Sequence, residues 1–197
     1  MKFIFHAVFA LFLSGCHKKI PAEPLTSAPP GSTFGNDGEY RIGPQDELKL
    51  RVVGDPTFDG VYDVADSGTV FLPVVGSIQV RGLTQNQAQA AVESRISSYV
   101  KKPSVTFTLA SRRSYKAYFD GEFVRVGSVQ FEGRPTLLAA ITLAGGLTPF
   151  ASGRIVLIRR DGQADSRRYA VRYQDLRDGS EAYDRFYVER GDVVVAE

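Results

Sequence analysis

The 197-residue chain has no tryptophan, one methionine and one cysteine. A lone cysteine makes neither an intramolecular disulfide nor a zinc cluster. Both histidines, His6 and His17, lie near the N-terminus, so the body of the chain has none to serve a metal or a serine nucleophile. An excess of either charge is missing too: 24 Lys and Arg stand against 22 Asp and Glu, a net of +2. Nucleic-acid binders carry a concentrated basic face, so no nucleic-acid partner is expected, and no cofactor motif is found. Nor is there an apolar run of the ~20 residues that a spanning helix needs. What is present is ordinary for a folded protein: 43% hydrophobic and 23% charged residues. The 19 glycines and 10 prolines point to a turn-rich, β-rich chain, and the length allows one or two small domains.

The start of the chain carries a signal of its own. Lys2 is followed by 11 residues, Phe3 to Leu13, that are apolar apart from His6. A positive start, a short apolar stretch and small residues after it describe a secretory signal peptide. The stretch ends Leu13-Ser14-Gly15-Cys16, which resembles the bacterial lipobox. The resemblance implies that residues 1–15 are removed and that Cys16 is the site of lipid attachment. Several acyl chains, at ~0.8 kcal/mol per buried CH₂, hold such a protein to a membrane permanently. The alternative is a buried cysteine in an ordinary apolar helix. His17 stands where an aspartate favours retention in the inner membrane of enterobacteria, so the resemblance places the anchor at the periplasmic face of the outer membrane. Residues 16–38 contain Pro21, Pro24, Pro29, Pro30, Gly31, Gly35 and Gly38 among small polar residues and read as a flexible tether.

Two β-rich modules follow, an α+β fold class. In the first, residues 39–111, Leu48 to Val52 alternate apolar and charged side chains, the period of a half-buried strand. Val70 to Val75 reads as a second, more continuous strand. Pro73 lacks a backbone donor, so this strand is expected to be an edge or bulged. Thr84 and Gln87 form a capping-box pattern ahead of one amphipathic helix with Ala88, Ala91, Val92, Ile96, Tyr99 and Val100 on one face. Lys101, Lys102 and Pro103 end it, and Val105, Phe107 and Leu109 alternate as a strand. In the second module, residues 112–197, Tyr115–Phe119 and Phe123–Phe131 read as strands around a turn at Gly121. A short helix runs from Thr136 to Ala144 and stops at Gly145-Gly146, followed by strands Arg154–Arg160 and Val193–Val195. The order is that of a β-grasp.

With this order in view, the chain resembles the bacterial outer-membrane polysaccharide export proteins, the Wza-like family. Tyr40-Arg41-Ile42-Gly43-Pro44-Gln45-Asp46-Glu47-Leu48 is similar to the family's opening Y-x-I-G-P-G-D-x-L, and Gly68 to Gly76 to its G-x-I-x-L-P-x-x-G. Gly121-Glu122-Phe123, Leu143 to Thr148, Ile155 to Arg159 and Gly191 to Val194 resemble an SLBB domain, a β-grasp-type ligand-binding fold. Departures are Gln45 in place of glycine, Val53 in place of an aromatic, Ser67 in place of aspartate and Val126 in place of proline. The resemblance implies a periplasmic lipoprotein in a capsule or exopolysaccharide export machine. It implies a homo-oligomeric ring around the polysaccharide, with the first module towards an inner-membrane co-polymerase. Longer members cross the outer membrane with a C-terminal helix; none is found by residue 197, so a separate outer-membrane β-barrel is expected to complete the path.

No catalytic residue is expected. Asp46, Glu47, Asp55, Asp59, Asp63 and Asp66 are dense enough to suggest the paired carboxylates of a glycosidase. Asp55 precedes Pro56, Asp59 precedes Gly60 and Asp66 precedes Ser67-Gly68, however, and these read as turn residues, as does Asp120-Gly121-Glu122. Arg159, Arg160, Arg167 and Arg168 are candidate contacts for an acidic polymer or a neighbouring subunit, since Arg pairs bidentately with carboxylates. The competing reading is a solvated face with intramolecular pairs. Two further functions compete: a polysaccharide-modifying enzyme, and an adaptor lipoprotein for a small ligand or partner.

Overall fold

A computed structural model describes residues 20–28, 34, 38–161, 165–179, 183 and 186–197. The expected signal peptide and Cys16 lie outside these residues. The chain comes in through a two-residue strand, β1 (Glu23–Pro24), and then builds the first module. Strands β2 (Glu47–Val53), β3 (Gly60–Asp63) and, later, β6 (Ser104–Ser111) form an antiparallel sheet in the order β3-β2-β6. Between them stand a separate hairpin, β4 (Thr69–Leu72) and β5 (Gly76–Gln79), and the helix α1 (Gln85–Ile96).

Side chains alternate across a strand, so one face of β2 buries Leu48, Leu50 and Val52. These pack with Val105 and Phe107 of β6 and with Ala88, Val92 and Ile96 of α1 in a single core. The capping box forms in both directions: Gln87 N–H donates to Thr84 Oγ1 (3.2 Å) and Thr84 N–H to Gln87 Oε1 (3.0 Å). The helix stops at Ile96, earlier than the apolar face suggested, and leaves Tyr99 exposed.

The run from Val70 to Val75 is not one strand with a bulged proline. Only Val70–Leu72 is strand, the end of β4; Pro73, Val74 and Val75 form the turn that leads into β5. Proline has a fixed φ and no N–H to give a ladder, which suits a corner better than a strand. Val75 N–H donates back to Pro73 O (2.6 Å), which puts Val74 at φ +65°. A β-branched residue in that region is strained, and its side chain stands in solvent.

The second module is a hairpin, a helix, a second hairpin and a final strand. The first hairpin is β7 (Lys116–Gly121) with β8 (Gly127–Gln130); α2 (Leu137–Leu143) follows. Next come β9 (Arg154–Asp161) and β10 (Asp165–Arg172), a short α3 (Tyr173–Arg177) and β11 (Val193–Ala196). The sheet order is β1-β10-β9-β11-β7-β8, with β11 parallel to β7 and antiparallel to β9. A last strand slotted between two hairpins, parallel to the first strand, is the β-grasp arrangement. Thr136 caps α2 by accepting from Ala139 N–H, and Gly145 and Gly146 close it at φ +87° and +80°, where glycine carries no steric penalty. The second strand is shorter than the expected Phe123–Phe131: residues 123–126 form a loop, with an isolated Phe123–Leu147 bridge outside the sheet.

The expected tether is only partly a tether. Residues 20–28 lie along the edge of the second sheet as a strap, with Glu23 and Pro24 paired to Tyr169 and Ala170. Leu25 is buried in the second core. Phe34 meets the rings of Tyr40 and Tyr115 edge-on at 5.7 and 5.4 Å. These two large apolar side chains anchor a stretch whose prolines and glycines otherwise argue against order.

Candidate functional site

The residues that open the first module do not act within it alone. They build the junction with the second. Asp46 is fully buried, and its carboxylate accepts from Gly43 N–H (2.8 Å), Ser114 N–H (2.9 Å) and the Tyr40 hydroxyl (2.8 Å). Ser114 Oγ lies 2.9 Å from the same hydroxyl. Arg190, from the loop before β11, donates through Nη2 to Tyr40 Oη (3.0 Å) and to Arg41 O (2.6 Å). Its guanidinium also lies over the Tyr40 ring at 5.4 Å. Gly43 leaves room for that group: a Cβ there would fall 2.3 Å from Arg190 Nη1 and 2.6 Å from Ser114 Oγ. Outside this buried cluster, Arg113 pairs with Glu47 and reaches Asp63 at 3.6 Å.

Asp46, one of the dense carboxylates weighed as a glycosidase pair, is therefore a structural tie. Its bond to Gly43 is local, but Ser114 is 68 positions away and no neighbouring residue signals it. Asp55 and Asp59 do what turn carboxylates do, accepting from the backbone N–H of Thr57 (3.1 Å) and Val52 (2.7 Å).

Gln45, where the family motif has glycine, sits at φ +73°. An L-residue in that region costs about 1–2 kcal/mol relative to glycine, offset in part by glycine's larger entropy loss. Gln45→Gly should therefore raise stability by up to about 1 kcal/mol, read as a higher urea midpoint at unchanged slope.

Burial pushes the Tyr40 phenol up to about 12, with Arg190 pulling the other way, and pushes the Tyr115 phenol up as well. Tyr115 donates to Val188 O (2.8 Å). An unfolded chain releases these protons near pH 10 while the folded one keeps them, so the stability present below pH 10 is lost as pH rises towards 12. The slope should be up to about 1.4 kcal/mol per pH unit for each tyrosine. Thermal melts between pH 9 and 12 check this, and Tyr40→Phe should flatten the fall.

The four arginines are not brought together. Successive residues of a strand point to opposite faces. Arg159 and Arg167 are register partners on the core side of the β9–β10 hairpin; Arg160 and Arg168 stand on the other side. Arg159 is buried. It grips Asp192 with two bonds, Nε to Oδ1 (3.0 Å) and Nη2 to Oδ2 (2.6 Å), donates to Tyr187 O (3.0 Å) and lies 5.0 Å over the Phe186 ring. For this residue the intramolecular pairing is what forms. Arg160, Arg167 and Arg168 are exposed. Burial pushes the Asp192 carboxyl up, while Arg159 and the Glu189 N–H draw it back.

A shallow groove of about 920 Å³ runs between the strap and α3, past Arg154, Arg172, Tyr173, Asp175 and Arg177. Its charges are largely matched with one another: Arg172 pairs bidentately with Asp175 (2.8 and 3.0 Å), and Arg154 with Glu197 (2.7 Å). Among the described residues no group of three or more His, Cys, Asp or Glu is placed to hold a metal ion.

The cluster built on Tyr40, Gly43 and Asp46 thus ties the two modules together. The family model described as polysaccharide biosynthesis/export protein matches residues 35–110, from just before Tyr40 to the end of β6. The first module thus carries a polysaccharide export domain. It is 30% identical over 138 residues to a polysialic acid transport protein, KpsD, of Escherichia coli, covering 70% of this chain and 25% of the relative. It is 27% identical over 137 residues to the exopolysaccharide production protein ExoF of Rhizobium meliloti (strain 1021), covering 63% and 32%. The chain thus spans about a quarter to a third of the curated relatives it matches. These relatives are named for polysialic acid transport and exopolysaccharide production, not for an enzymatic reaction. Among the described residues no helix is long and apolar enough to cross a membrane.

Proposed function

We propose that this protein is a periplasmic lipoprotein, anchored through Cys16 to the outer membrane, and a component of a capsule or exopolysaccharide export machine. The observation that carries the reading is the family match over the first module in a chain that also resembles a polysialic acid transport protein over a longer stretch. The second module, with its β-grasp order, takes the part of an SLBB domain. Identical subunits form a ring, a head-to-tail contact that closes by rotation. The ring encloses the polymer, which an inner-membrane co-polymerase drives. A separate β-barrel completes the path, since a closed barrel satisfies every backbone hydrogen bond in lipid.

The first module has surface for such contacts: Phe71 and Val74 stand exposed at the β4–β5 hairpin, and Val53 and Val61 on the outer side of β2 and β3. Arg160 and Arg168, exposed on one side of the β9–β10 hairpin, contact acidic polymer or a neighbour's carboxylates in this reading. Mild crosslinking in cells should give a ladder of oligomers together with an outer-membrane barrel, and deletion should abolish surface polysaccharide. A strictly monomeric protein whose deletion leaves export intact sinks the proposal and favours an adaptor.

A further inference from the structure

Four apolar side chains stand in solvent at one end of the second module: Phe150 at 86% exposure, Val126 at 63%, Val124 at 60% and Leu143 at 49%. They come from the loop after β7, the end of α2 and the loop before β9, which the backbone ties into one surface. Val124 N–H donates to Gly146 O (3.0 Å), Arg125 N–H to Ala144 O (2.9 Å) and Thr148 N–H to Glu122 O (2.9 Å). The Arg125 guanidinium reaches back to Leu143 O and borders the patch.

The strap begins at this same end. Ile20 N–H donates to Glu197 Oε1 (3.0 Å), and Arg154 Nη2 donates to Ile20 O (2.7 Å). Ser152, two residues after Phe150, donates its N–H to Glu197 O (2.5 Å). Ile20 and Ser152, two residues from Phe150, thus both bond to Glu197. Cys16 is four residues before Ile20, and four residues reach at most ~14 Å. Whatever lipid Cys16 carries is held within that radius of Ile20, on the same end of the module.

We propose that this end of the second module is a lipid-contacting surface: Phe150, with Val124, Val126 and Leu143, seats in the interfacial zone of the leaflet that holds the acyl anchor, and Arg125 faces the headgroup phosphates. An aromatic and aliphatic rim beside a cation suits that zone. The anchor's position selects a lipid leaflet as the occupant rather than a second copy, because the acyl chains bring the leaflet to this end at every moment. The proposal rests on the lipidation of Cys16. It adds that the module lies against the membrane in a fixed orientation, with the first module turned away from it, instead of swinging on a loose leash.

The absence of tryptophan makes the test direct. Full-length protein carrying Phe150→Trp is expressed with its lipid and reconstituted into vesicles of phosphatidylethanolamine and phosphatidylglycerol. The indole emission should shift to the blue, lose its quenching by iodide, and be quenched several-fold more by brominated acyl chains than the indole of Phe71→Trp in the first module. Mass spectrometry and flotation separate the two layers of the proposal. Protein without acyl chains overturns the anchor and, with it, the choice of lipid as occupant. Lipidated protein that floats while its indole stays open to iodide overturns the lipid surface and leaves the anchor standing. A blue shift that depends on protein concentration and persists in detergent without vesicles assigns the patch to a second copy and also overturns it.

Discussion

Asp46→Ala should lower the free energy of unfolding by about 3–4 kcal/mol. The carboxylate is buried and accepts three hydrogen bonds, two of them from backbone N–H groups that have no water to turn to. Each buried donor left without an acceptor costs about 1–3 kcal/mol, whereas an ordinary hydrogen bond contributes nearer 1. Tyr40→Phe, which removes only the hydroxyl, should cost about 1 kcal/mol. Because Asp46 belongs to the first module and Ser114 to the second, the loss should fall on their coupling. Urea unfolding followed by tyrosine absorbance and by circular dichroism should separate into two transitions in Asp46→Ala. Coincident transitions at nearly wild-type stability would falsify the assignment of Asp46 as the tie between modules.

Arg159→Met should be equally damaging, by about 3–5 kcal/mol, because it leaves Asp192 as a buried carboxylate without its counter-ion. The direction with pH distinguishes this from a packing defect. A lone buried carboxylate takes up a proton more readily than its unfolded form, so the variant should regain part of its stability as pH falls from 7 towards 5. Arg159→Met combined with Asp192→Leu removes both charges and should lie within about 1–2 kcal/mol of the parent, since paired buried ions contribute little net. A double variant as unstable as the single one would show that the site depends on its other contacts, those of Arg159 with Tyr187 and Phe186 and that of Asp192 with the Glu189 N–H.

What could be read from the sequence was what local chemistry decides. Thr84 and Gln87 announce the start of α1 because a capping box needs only four residues. Gly145-Gly146 announces the end of α2, and the alternation at Leu48 to Val52 and Val105 to Leu109 gives two strands directly. The β10 strand was hidden because Arg167-Arg168 interrupts the alternation that Tyr169 and Val171 would otherwise show. Pro73 was ambiguous between an edge strand and a corner, and its neighbours' pairing, not its own chemistry, decides.

The opening motif was visible as a pattern, but the reason for its residues was not. Gly43 is small because of Arg190, almost the whole chain away, and Asp46 is acidic because of Ser114. Arg159 looked like one of a pair of surface arginines; only the β9–β10 register turns it inward to Asp192. Leu25 and Phe34 were lost among prolines and glycines, since composition averages over a segment while two anchor residues suffice to dock it.

That docking sets an order of events. The strap at residues 20–28 is made early, yet its partners are the hairpin at 154–172 and Glu197, made much later. The first module's elements, between residues 47 and 111, need none of these to close their own core. The first module can therefore mature during synthesis while the strap waits with Leu25 uncovered. Chain length is no great obstacle to its late return, since each doubling of a closed loop adds only about 0.6 kcal/mol of entropy. A chain truncated before Arg154 would keep its first core and leave the strap without a sheet to join.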